Sequence, residues 1–139
     1  AEIPYRWGEW VGERSEAWKP ILAAVNADGV GLELGANTVT TIAASKAFVG
    51  LVNAIKREKY PGVVQVDPWP ASDHYTFYSH GVPSMALSFL GGVSDVIRQP
   101  TDTIKWLGPA RLAEVVSLIA DVVDSLQDKT PGWCRPAKA

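Results

Sequence analysis

The sequence predicts an α/β fold, a layered sandwich with a largely parallel sheet. Three observations carry this. Short apolar or β-branched runs alternate with amphipathic helical segments along the chain. The run Ile21–Asn26 is apolar up to its last residue, as a strand buried on both faces requires. From Leu112 to Leu126, apolar residues recur at helical spacing.

Each element follows from local chemistry. The opening stretch from Glu2 to Trp18 is rich in Trp, Gly and charge, and predicts a short helix from Gly8 to Trp18, stopped by Pro20. A strand at Ile21–Asn26 runs into the turn Asp28-Gly29. Thr38–Ile42 is β-branched and reads as a second strand or a strand-to-helix entry. Ser45 is placed to cap a helix whose inward face is Phe48, Leu51, Val52 and Ile55. Lys56, Arg57 and Lys59 complement its last turn, and Pro61-Gly62 ends it. Val63–Val66 is a further strand. Ser72 is expected to cap a short helix to about Ser79, with Gly81 at its end. Pro83–Phe89 is the fourth strand, and Gly91 to Gly108 a long irregular connection. Gly108-Pro109 opens the last helix, with Leu112, Val115, Val116, Ile119, Val122, Val123 and Leu126 as its apolar stripe. The segment 129–139 is expected to be a loosely ordered tail, with Trp133 as an anchor.

The 139 residues suit one domain, expected to span 1–139. Hydrophobic residues make up 47% and charged residues 20%, and the apolar runs are far shorter than the roughly 20 residues of a membrane span. Thirteen basic against fifteen acidic residues, with no basic block, argue against nucleic acid as a partner. The stretch from Ala1 has no signal-peptide pattern. One cysteine, Cys134, excludes an intrachain disulfide and any multi-cysteine zinc site, and reads as a structural or incidental thiol. His74 and His80 are the only histidines.

Two segments could carry chemistry. Asn26-Ala27-Asp28-Gly29-Val30-Gly31 puts a carboxylate at the carboxyl end of a strand, where ligands gather in open α/β sheets; an ordinary turn aspartate is the plainer alternative. Its glycines lack the dinucleotide-binding spacing. Ser72-Asp73-His74 sets a carboxylate beside an imidazole at a helix start. Asp73 and His74 are either a ligating or orienting pair, or parts of a capped helix with a satisfied structural histidine. His80 suits a helix C-terminus. No Gly-x-Ser-x-Gly elbow supports a serine nucleophile.

In order, Asn26-Ala27-Asp28-Gly29-Val30-Gly31, Ser72-Asp73-His74 with Phe77 and Gly81-Val82-Pro83-Ser84, and Pro100-Thr101-Asp102-Thr103 before a long terminal helix resemble the co-catalytic zinc aminopeptidases. That family also holds glutamate carboxypeptidase, glutaminyl cyclase and the transferrin receptor. The resemblance covers about residues 21 to 127. It implies a three-layer sandwich with a central, mostly parallel but mixed sheet flanked by helices, of which this chain holds the C-terminal portion. It implies Asp28 as a zinc ligand, Glu9 at a second ligand position with Gly8 in place of the general base, and Asp73 and His74 as supporting residues of the rim. Asp102 and Thr103 match the end of the family's His-Thr-x-x-Asp-Thr motif. Arg98 stands where that motif has its ligating histidine, with Asp95 the nearest substitute.

Arg98 cannot bind a cation, and Asp28, Glu9 and Asp95 are too few for tight zinc binding. The leading expectation is therefore the C-terminal part of a zinc-aminopeptidase-like hydrolase acting on a peptide or small amide. Zinc belongs to the parent; the isolated chain is expected to be inactive and to hold no zinc tightly. The alternatives are a non-catalytic interaction domain and a small-ligand-binding domain with Arg98 as anchor for a carboxylate. A homo-oligomer is left open.

Overall fold

The computed structural model describes residues 15–69, 71–91 and 99–137. A four-stranded mixed sheet is flanked by helices. Its strands are β1 (Ala24–Ala27), β2 (Ala36–Ile42), β3 (Val64–Gln65) and β4 (Ser84–Leu90), in the spatial order β1-β4-β2-β3. Two of the three pairings are parallel, β1 with β4 and β2 with β3. The central one, β2 with β4, is antiparallel, with Val39 opposite Leu87. The helices are α1 (Lys46–Lys59), α2 (His74–Ser79), α3 (Pro109–Leu126) and α4 (Pro131–Cys134).

Alternation along the strands makes the two sheet faces different. One face offers Val39, Met85 and Leu87 to Phe48 and Val52 of α1 and to Val115, Leu118, Val122 and Leu126 of α3, forming the main core. The other carries Ala24, Asn26, Thr38, Thr40, Ser84 and Ala86. Such small and polar side chains let α2 approach closely, and Trp18, Ala24 and Val82 form a small second core beside Phe77. The layered α/β expectation thus holds.

Several boundaries move. The first strand is Ala24–Ala27 instead of Ile21–Asn26, because pairing starts where β4 supplies a partner: the Ala24 amide donates to the Pro83 carbonyl at 2.8 Å. Of the helix expected at Gly8–Trp18, only the 3-10 turn Ser15–Trp18 falls within the described residues. The connection 91–108 contains another such turn at Ile104–Trp106. Ser45 does cap α1, accepting from the Phe48 amide at 3.0 Å.

Two expectations are corrected outright. Val116 and Val123 do not belong to the buried stripe of α3; Val116 is 65% exposed, and the omitted Leu118 is 0% exposed. The buried set 115, 118, 122, 126 steps by three or four residues, which leaves 116 and 123 roughly 100° round the helix from the centre of that face. The segment from Lys129 is not a loose tail in its described part. Thr130 caps α4, the Ser45 hydroxyl donates to the Trp133 carbonyl at 2.7 Å, and Cys134 is buried. The Arg135 guanidinium then donates to the carbonyls of Trp18, Ile21 and Gly81 at 2.8, 3.0 and 3.2 Å.

Candidate functional site

The candidate site lies at the carboxyl end of β1. Asn26 and Asp28 are two residues apart, so their side chains share one face of the sheet. The Asp28 amide donates to the Leu87 carbonyl at 3.0 Å, and the chain then turns through Gly29 and Gly31, both at positive φ. A Cβ at Gly31 would overlap the Leu112 side chain, so glycine is required there. Buried Asn37 fastens this turn: its Oδ1 accepts from the Gly31 amide, while its Nδ2 donates to the Arg111 carbonyl and the Glu114 carboxylate. The Gly31 carbonyl accepts from the Gly108 amide, and Leu32 bridges Leu107. The turn after Asp28 is thereby tied to the start of α3.

Ser72 reaches the carboxylate from the loop before α2. Its backbone has φ 124°, a costly conformation for a residue with a Cβ. Contrary to expectation, its side chain does not cap α2; Asp73 holds that position and makes no side-chain cap bond. The Ser72 hydroxyl instead donates to Asp28 Oδ2 at 2.7 Å. Asn26 Nδ2 lies 3.0 Å from Ser72 Oγ and 3.1 Å from His74 Nδ1. His74 Nε2 lies 2.8 Å from the Trp69 carbonyl.

Donor counting gives this chain a direction. An amide nitrogen only donates, so Ser72 Oγ and His74 Nδ1 both accept from Asn26. The single hydroxyl proton of Ser72 is left for Asp28. With Nδ1 accepting, His74 carries its proton on Nε2 and gives it to Trp69. His74 is thus a buried imidazole with both nitrogens engaged, which leaves no lone pair for a metal. Asp28 is solvent-exposed, with one carboxylate oxygen fixed by Ser72.

The structure therefore joins Asp28 to His74 through two intervening side chains. Asp73 is adjacent in sequence but exposed, with no part in this chain of bonds. Asp102 lies in the turn whose backbone closes on Gln99; that segment runs into Trp106, whose carbonyl accepts from the Glu33 amide. Glu9, Gly8, Asp95 and Arg98 lie outside the described residues. Sequence reasoning quoted Asn26 and Ser72 within the two motifs but gave neither an individual role in the site. A polar residue ending an otherwise apolar run, two positions before Asp28, was the available signal.

Among the described residues, no three His, Cys, Asp or Glu side chains converge on one point. A zinc site takes three or four protein ligands. The described residues bring one candidate, Asp28, and do not make such a site by themselves. His80, at the C-terminus of α2, donates from Nδ1 to the Thr76 carbonyl at 2.7 Å and stacks on Trp18 at 4.4 Å, as its helix-end position predicts. Burial pushes the Cys134 thiol up from its ordinary range, with Arg135 opposing. That fits an unreactive structural thiol. No helix among the described residues is long and apolar enough to cross a membrane. The chain matches no protein-family model, no curated protein and no solved structure.

Proposed function

We propose that this chain is the C-terminal part of a zinc-aminopeptidase-like hydrolase that cleaves peptide or amide bonds, with Asp28 as the carboxylate it presents to the metal. The observation that supports this most is the hydrogen bond between Ser72 and Asp28, which joins two motifs 44 residues apart at the carboxyl edge of a sheet. In this reading Asp28 is oriented by Ser72, the glycine turn beyond it gives room for close approach, and Asn26 and His74 serve as support. The remaining ligands belong to residues outside the described ones, Glu9 among them.

The test is made on the product of the whole gene. A His-x-Asp pair encoded before Ala1, and an aminoacyl-amide hydrolysis that Asp28→Asn abolishes without unfolding the protein, are expected. Hydrolysis indifferent to Asp28→Asn would contradict the proposal. No hydrolysis and no metal uptake would favour the non-catalytic or small-ligand-binding reading.

A further inference from the structure

Asn26 and His74 supply no ligand to the site, yet the hydrogen bonds make them its foundation. We infer that they are positioning residues: the tautomer of His74, passed on through the Asn26 amide, sets the direction of the Ser72 hydroxyl and so orients the Asp28 carboxylate. This rests on reading Asp28 as the working carboxylate and says how that group is held.

The Trp69 carbonyl selects the tautomer by accepting from His74 Nε2. With Nδ1 bare, Asn26 must turn its NH2 toward the ring, and the same NH2 donates to Ser72 Oγ. The hydroxyl accepts from that NH2 and its one proton points to Asp28. Were Nδ1 protonated, Asn26 would have to present Oδ1. Ser72 would then face two acceptors with one proton, and the hold on Asp28 would be shared.

The surroundings favour a fixed ring. His74 is 1% exposed, with the Trp69 ring edge-on at 4.7 Å and Tyr78 of the same helix at 6.2 Å. Tyr78 is the titratable group facing it from α2, and Asp28, just after β1, is reached only through the relay; Asp73 precedes it in the chain and is exposed. The strained backbone of Ser72 is a second, independent sign, since such conformations persist where the surroundings hold the residue for a purpose.

The experiment is NMR on the labelled chain. In the native protein, His74 should show a protonated Nε2 and a bare Nδ1 with a scalar coupling across the hydrogen bond to the Asn26 side-chain nitrogen. A protonated Nδ1 would overturn the inference without any variant. Next, Asn26→Leu, which is neutral and of similar volume, should move the Asp28 carboxyl carbon resonance in the same direction as Ser72→Ala, and should cause no further movement in the Ser72→Ala background. A purely structural role would lower the melting temperature and leave the Asp28 resonance in place. Movement that persists in the Ser72→Ala background would show that Asn26 does not act through Ser72. These readouts need neither zinc nor substrate, so failure of the hydrolase reading is distinguishable from failure of this one.

Discussion

Leu118→Ala and Val116→Ala, two residues apart on α3, should differ sharply in cost. Leu118 is fully buried among the core residues between α3 and the sheet, whereas Val116 is 65% exposed. Removing a buried leucine side chain costs about 2–5 kcal/mol, because lost transfer energy adds to the cavity left behind. An exposed site away from special features changes stability by only about 0.5 kcal/mol, and alanine's higher helix propensity offsets part of that. For a chain of this length, 1 kcal/mol corresponds to roughly 3–4 °C in melting temperature. Leu118→Ala should therefore melt about 6–20 °C lower, and Val116→Ala within about 2 °C of the parent. Thermal melts followed by far-UV circular dichroism read both. Equal shifts, or the larger shift in Val116→Ala, would mean that α3 faces the core with a different side.

Other perturbations test the rest of the packing. Arg135→Ala leaves three backbone carbonyls without their charged donor, and should lower stability by about 2 kcal/mol in urea unfolding; an unchanged midpoint would show the terminal segment to be dispensable. The hydrogen bond from Tyr60, followed by that from Lys59, holds the Asp121 carboxyl below its ordinary range, and the same Asp121 bond, with burial, holds the Tyr60 hydroxyl above its own. The Asp121 contribution is present above the ordinary carboxylate range and lost as pH falls through the depressed value. The Tyr60 contribution is present below the ordinary tyrosine range and lost as pH rises through the raised value. Tyr60→Phe should flatten the pH dependence of stability at both ends, and a profile identical to the parent's would refute this coupling. Cys134 should resist a thiol-specific reagent in the native chain and react on unfolding; rapid native labelling would place it at the surface.

Much of this architecture was legible in local pattern. Phe48 and Val52 on one face of a helix, with Ser45 before it, dictate α1 almost completely. The segments around Asp28 and Ser72-Asp73-His74 stood out in the sequence, and hydrogen bonds join Asp28 to Ser72 and, through Asn26, to His74, leaving Asp73 aside. What stayed hidden depends on tertiary partners. Ser72 is a good cap candidate by type, but a charge-assisted bond to Asp28 competes with the local one. The α3 stripe was drawn too wide because Val116 and Val123 are as apolar as Val115 and Val122, and only the packed sheet says which pair is inside. The antiparallel contact of β2 with β4 has no local signature. The anchoring of the last residues rests on Arg135 reaching carbonyls more than 50 positions away.

The most direct test of the account is zinc affinity, measured on the product of the whole gene for the parent, Ser72→Ala and Asp28→Asn. Loss of a group that orients a metal ligand typically weakens binding about 10–100-fold, and loss of the ligand itself should cost more. The predicted order is parent tightest, Ser72→Ala weaker by about 10–100-fold, and Asp28→Asn weakest, all with native circular dichroism. Zinc bound by Asp28→Asn as tightly as by the parent would contradict the assignment of Asp28.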